Sequence, residues 1–253
     1  MHMTLFSASR WRLTLTLTVA MGLVLGALQG CSSLSPPEKP TAADQLKVWQ
    51  PEDQMTWDVV KIPGKVATQY SVVRVSNRSA LLANAMSSAS MLRKDVRIAP
   101  ENLNALSFSW QVKKLIAGAD MAHRDHDDSP VRLVLAFDGD RSLFSAKNAA
   151  LSELSHALTG QPMPYATLMY VWSNHRPVES VIQNPRTDRI RKIVVESGEA
   201  RLSQWNVYER NIRADYERAF GEPPGALVGI GLMTDSDNTR SHAQAWYGAV
   251  RLN

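Results

Sequence analysis

A second cysteine is missing from this 253-residue chain; Cys31 stands alone. That excludes a disulfide framework, so in an oxidising compartment the fold has to hold through core burial. No Gly-x-Ser-x-Gly elbow, His-Glu-x-x-His pair or phosphate loop occurs, which removes the sharpest enzyme signatures. Internal repeats and late low-complexity stretches are lacking too. One domain is therefore expected, and a chain of this length can bury an adequate core. Acidic residues are absent before Glu38, and that gap leads to what is present.

Arg10 and Arg12 precede an apolar run, Leu13 to Leu28, which is short for a spanning helix and fits a secretory h-region. The run closes on Leu28-Gln29-Gly30-Cys31, where Gly30 is the small residue a signal peptidase needs. Residues 1–30 read as a lipoprotein signal peptide and Cys31 as the lipidated acceptor, an anchor that holds a protein to a bilayer without spanning it. Ser32, in place of an aspartate, resembles the pattern of Gram-negative lipoproteins sent to the periplasmic face of the outer membrane. Residues 31–45 read as a lipidated tether, whose Ser- and Pro-rich stretch 32–44 reaches up to ~40 Å at ~3.1 Å per residue. Without residues 1–30 the chain carries 26 basic against 24 acidic residues, a net charge of about +2. Its basic residues are scattered, as at Arg186, Arg189, Arg191 and Lys192, without stacked aromatics; that run reads as a solvated face, and no nucleic-acid partner is expected.

From residue 46 to 253, period-two patterns dominate. Leu106, Phe108, Trp110 and Val112 alternate with small or polar residues, as in a half-buried strand. Val131–Phe137 is a more thoroughly apolar strand, closed by the turn-prone Asp138-Gly139-Asp140. Further strands are expected over 56–62, 66–75, 79–85, 96–98, 167–172, 190–195, 204–209, 226–233 and 245–252. Such spacing predicts an all-β fold, an antiparallel sandwich or barrel. Two short helices interrupt it. Ser145 caps one, with Ala149, Leu151, Leu154 and Leu158 on a common face and Gly160 at its end; the other runs from Ile212 to Phe220 and stops at Gly221.

Several clusters bear on chemistry. His123-Arg-Asp125-His126-Asp127-Asp128 gathers imidazoles and carboxylates before a strong strand, and reads equally as a solvated loop. Asp235 and Asp237, with Asn238 beside them, offer the hard oxygens that calcium prefers, and equally those of an Asx turn; Arg240 stands where an EF-hand needs glycine. Trp172, near Asn174 and His175, sets an aromatic face beside polar groups, as a sugar-binding sandwich does, though aromatic rings at this spacing also make core. Asp127, Asp128, Arg132, Trp172, Asp235, Asp237 and Asn238 are the candidate ligand-binding set. Asp235 and Asp237 are the candidate metal ligands. Arg132 and Asp235 could also form a buried ion pair. Glu196 and Glu209 are available for a hydrolase pair, with no spacing that selects them.

The blocks Leu106-Ser-Phe-Ser-Trp110-Gln-Val112, Asp127-Asp128-Ser-Pro-Val-Arg132, Tyr170-Val-Trp172, Glu209-Arg210-Asn211, Phe220-Gly221-Glu222-Pro223-Pro224, Met233-Thr-Asp235-Ser-Asp237-Asn238-Thr239 and Tyr247-Gly248 resemble bacterial lipoproteins carrying the domain of unknown function 3047. The resemblance implies a jelly-roll or galactose-binding-like sandwich and assigns no activity. It lapses over an insertion at 143–164. Three functions are weighed: a tethered module binding a glycan or another envelope component, an assembly lipoprotein presenting a surface to an envelope protein, and a polysaccharide hydrolase or lyase using two carboxylates, or one with His175 or Tyr247. The enzyme is ranked last.

Overall fold

The computed structural model describes residues 47–253. The expected signal peptide, Cys31 and the tether lie outside the described residues. Fourteen strands form two seven-stranded sheets. Sheet A comprises β1 (Lys47–Trp49), β3 (Gln69–Val75), β4 (Arg78–Met86), β6 (Ala105–Val112), β11 (Asn206–Asn211), β13 (His242–Tyr247) and β14 (Val250–Leu252). Sheet B comprises β2 (Asp58–Lys61), β5 (Ala89–Ile98), β7 (Ser129–Phe137), β8 (Ala166–Ser173), β9 (Val181–Gln183), β10 (Ile190–Ser197) and β12 (Leu227–Asp235), in the order β2-β5-β12-β7-β8-β10-β9. The expected sandwich is present. Pairing is antiparallel except between β8 and β10, which run parallel and so need the long crossover between them.

One core lies between the sheets. Leu106, Phe108 and Trp110 from β6 meet Leu133, Leu135, Tyr170, Ile193 and Leu232 from sheet B. Phe108 and Tyr170 stack across the gap with ring centroids 5.5 Å apart. The alternation that marks β6 in the sequence is the alternation between this core and the opposite face.

Several boundaries differ from the sequence reading. The strand expected over 96–98 is the end of the ten-residue β5, whose Arg93, Lys94 and Asp95 mask its pattern. The segment 245–252 is two strands, β13 and β14, which both run antiparallel along β6 with a one-residue register shift around Gly248 between them. Strands β1 and β9, three residues each, were not legible.

Helix α1 (Pro51–Gln54) is a single turn. In α2 (Ala146–Thr159) the Ser145 hydroxyl accepts from the Asn148 N–H at 3.3 Å, and Gly160 closes the helix at φ 75°, a left-handed value that suits glycine. Asn211 and Gly221 do the same for α3 (Ile212–Phe220). The face expected to bury α2 does not. Asn148 and Ser152 are buried, whereas Leu154 and Leu158 are 54% and 58% exposed. Asn148 is drawn inward by polar partners, the Thr187 hydroxyl at 2.7 Å and Asp188 at 2.6 Å. The leucines are left facing outward.

Candidate functional site

The candidate ligand-binding residues do converge, at one end of sheet B, where β7 and β12 pair and the loop before β7 folds over them. They converge as a closed ion network. Arg132 is 3% exposed and meets Asp235 through two bonds, Nε to Oδ1 and Nη2 to Oδ2, each 2.8 Å. Its Nη2 also reaches the Asp127 carbonyl at 2.7 Å and Oδ1 at 3.1 Å. Asp128 accepts from the N–H groups of Asn238 and Thr239 at 3.1 and 2.7 Å and from the Thr239 hydroxyl at 2.6 Å. Asp237 pairs with Lys65.

One member comes from the basic run 186–192 that the sequence suggests is a solvated face, and the structure corrects that expectation at Lys192. Lys192, inside the run Ile190–Ser197, is fully buried and donates to Asp127 Oδ1 at 2.6 Å and to the Met121 carbonyl at 3.0 Å. Burial, together with the nearby Arg132 charge, pulls its ammonium down to about 8, while Asp127 opposes the drop. Burial likewise pushes the Asp235 carboxyl up to about 6 against the pull of Arg132. Lys192 and Arg132 thus pin Asp127 and the loop ahead of it onto the sheet. A second anchor is Asp120, whose carboxylate takes Arg176 Nε and Nη2 at 2.6 and 2.7 Å; that hydrogen bonding holds it down near 2.

Trp172 is not a sugar platform. Its ring is 1% exposed, and its Nε1 donates to the Gly198 carbonyl at 3.0 Å. The reason is the strand: Tyr170 and Trp172 point into the sandwich core, as alternate residues of β8 must. The carboxylate oxygens of Asp128, Asp235 and Asp237 do come within 4.8 Å of one another. Each is engaged, however, by backbone N–H groups, by Arg132 or by Lys65. Such engagement makes the cluster a lock between two loops and a strand. For a hydrolase, Tyr247 is buried, with its hydroxyl on the Met233 carbonyl at 2.7 Å. Glu196 accepts from Tyr208 at 3.1 Å, and Glu209 lies exposed on β11 in sheet A.

The open concavity lies elsewhere, on the outer face of sheet B. Here Leu92, Leu133, Leu135, Leu168, Ile230 and Leu232 point into the core. Their neighbours Met91, Arg93, Val134, Ala136, Met169, Gly229 and Gly231 point outward and floor a trough of about 600 Å³. Register places Arg93, Gly231, Val134, Met169 and Lys192 in one row across β5, β12, β7, β8 and β10. At about 4.8 Å per strand that row is roughly 19 Å long. Leu158 of α2 and the Pro162–Pro164 segment wall one side; Val59–Ile62 wall the other. Gly229 and Gly231 let neighbouring side chains lie flat on the floor, since a Cβ on Gly231 would come within 2.7 Å of Met91 Sδ and one on Gly229 within 3.1 Å of Arg93 Nε. A sequence signal existed: a Gly-x-Gly inside an apolar strand marks a close approach or an open space above the sheet. The trough and the ion network meet at Met169, whose sulfur takes Arg132 Nη1 at 3.9 Å.

The family described as "protein of unknown function (DUF3047)" matches residues 55–251. The chain belongs to the DUF3047 family. Among curated proteins none matches. Similar solved structures include the low-affinity xylan-binding module CBM86 of Roseburia intestinalis, 11% identical, covering 82% of this chain and 94% of that one, TM-score 0.31. A family 11 carbohydrate-binding module of a Clostridium thermocellum cellulosomal cellulase is 9% identical, with 78% and 86% covered and TM-score 0.36. The family GH12 endoglucanase 3 of Trichoderma harzianum is 8% identical, with 85% and 100% covered and TM-score 0.40. The sandwich of this DUF3047 chain stands on its own strand pairing, and what those three proteins bind or cleave belongs to them. Among the described residues no helix is long and apolar enough to cross a membrane.

Proposed function

We propose that this protein is a non-catalytic binding module of the bacterial envelope, anchored through lipid on Cys31 at the periplasmic face of the outer membrane, and that it takes its ligand in the trough on sheet B. The anchor rests on the leader: Arg10, Arg12, the apolar run and Gly30 before the lone cysteine. The observation that carries the binding reading is the trough itself. Its volume of about 600 Å³ falls in the range of about 300–1,000 Å³ usual for small-ligand sites. Its lining is mostly apolar, and two glycines let the Met91 and Arg93 side chains lie low on its floor. The residues that line it include no aspartate, glutamate or histidine, so no general acid–base pair faces the space.

The mature chain with Cys31→Ser, incubated with a solubilised envelope extract and repurified, should carry small-molecule adducts in native mass spectrometry. Leu158→Asp and Val60→Asp place a charge at the trough, Leu158 at a position 58% exposed and Val60 on the outward face of the edge strand β2 beside Met91, where folding is little affected. Both variants should lose the adducts at an unchanged melting temperature. An adduct-free parent chain, or adducts indifferent to both substitutions, would overturn the proposal.

A further inference from the structure

Resting on the trough as the ligand site, we infer that its occupant is a diffusible anionic amphiphile with a single long acyl chain. Three observations converge on that chemistry.

The first is the lining. Phenylalanine, tyrosine and tryptophan are all absent from the residues around the space, so sugar rings have no face to stack on. Methionines 91, 163, 169 and 233 line it instead. Thioether side chains are unbranched and adapt to flexible apolar chains.

The shape is the second. The lined part of the row, Arg93, Gly231, Val134 and Met169, crosses four strands and is roughly 14 Å long at about 4.8 Å per strand. Its centre is Gly231 and Val134. A furrow of that length, walled by Val60 and the exposed Leu158, suits an extended chain.

Charge is the third. The ionisable groups that line the trough are Lys61 and Arg93, both cationic. Asp95 takes Arg93 Nη2 at 2.8 Å, yet Arg93 Nε is buried with no hydrogen-bond partner. That nitrogen lies 3.1 Å from where a Cβ on Gly229 would sit, so it borders the floor. Asp58, opposite Arg93 on β2, and Asp95 lie outside the lining. An orphaned cationic donor at one end of an apolar furrow is matched by a carboxylate or phosphate head with a hydrocarbon tail.

The test is calorimetric titration of the mature Cys31→Ser chain, below each probe's micelle concentration. The probes are octanoate, decanoate, laurate, dodecyl phosphate, dodecyl maltoside and xylohexaose. Each added methylene should tighten binding about fourfold. Dodecyl phosphate should bind tighter than dodecyl maltoside. Arg93→Gln should weaken the anionic probes about tenfold and leave the maltoside unchanged, while Leu158→Asp should weaken every tailed probe. Affinity independent of chain length overturns the inference, and so does a dimer in sedimentation that Leu158→Asp splits. Xylohexaose binding that Leu158→Asp abolishes overturns it too, while leaving the trough as the ligand site. If no probe binds and no adduct is carried from an envelope extract, both the inference and the binding reading fall.

Discussion

The Arg132 guanidinium and the Asp235 carboxylate meet fork to fork across β7 and β12, with both contacts at 2.8 Å and both side chains buried. That pair turns residues which look like an exposed binding loop into an internal fastening. It also makes the stability of this end of the sandwich depend on charges being present together. Arg132→Met alone leaves Asp235 buried and uncompensated, and should cost about 3–5 kcal/mol. The double variant Arg132→Met/Asp235→Leu should lose less than half of that. Urea unfolding of the two variants checks it, and equal losses would refute the coupling.

Lys192 gives a pH signature of opposite sign to an ordinary ion pair. Its folded value is about 8, below the free value of 10.5. Under pH 8 both folded and unfolded chains hold the proton, so this group adds no pH dependence. Between pH 8 and 10.5 the unfolded chain holds more protons, and stability rises with pH through this group. Lys192→Met should remove that rise, a difference on the order of 2–3 kcal/mol across the window. Parallel stability profiles for the two proteins, measured at pH 7, 8.5 and 10, would show that Lys192 does not titrate there.

Trp172→Phe should separate packing from recognition. It deletes the bond to the Gly198 carbonyl and leaves that oxygen short of a donor, at a cost of about 1–3 kcal/mol. Ligand adducts should be retained in full. Loss of adducts at a temperature where the variant remains folded would put Trp172 back among the binding residues.

Calcium should have little to hold among Asp128, Asp235 and Asp237, because Lys65, Arg132 and two backbone N–H groups already occupy those carboxylates. A thermal melt in millimolar calcium is expected to match one in chelator. A clear upward shift, abolished by Asp237→Asn, would mean that the ion displaces Lys65.

Cys31→Ser in the full chain should abolish incorporation of labelled palmitate and release the protein from the membrane fraction. Continued sedimentation with membranes, without label, would point to another means of attachment.

Strands whose two faces differ, such as β6, were legible because alternation records the core directly. The helix ends were legible because Ser145, Gly160, Asn211 and Gly221 do local work that needs no tertiary context. The buried Arg132–Asp235 pair was offered by the sequence only as an alternative, for a physical reason. Aspartates near strand ends look alike whether water or an arginine satisfies them, and the arginine lies 103 positions away in the chain. Lys192 was hidden by its own type, since a buried lysine exists only through partners that the chain supplies elsewhere. The trough was missed because its defining feature is side chains that are not there. Helix α2 was misjudged because Asn148 is drawn inward by Thr187 and Asp188, which its own amphipathic pattern cannot reveal.

The two floor glycines set a ratchet on how this site can change. At positions 229 and 231 the missing Cβ atoms let Met91 and Arg93 lie down against the strand, so every substitution there lifts a side chain and is a shallowing. Depth can be lost by a single codon change at either position and cannot be increased there. Variation in what the trough accepts is therefore channelled to its walls, above all to the α2 insertion, where side chains can lengthen or shorten without disturbing the sheet.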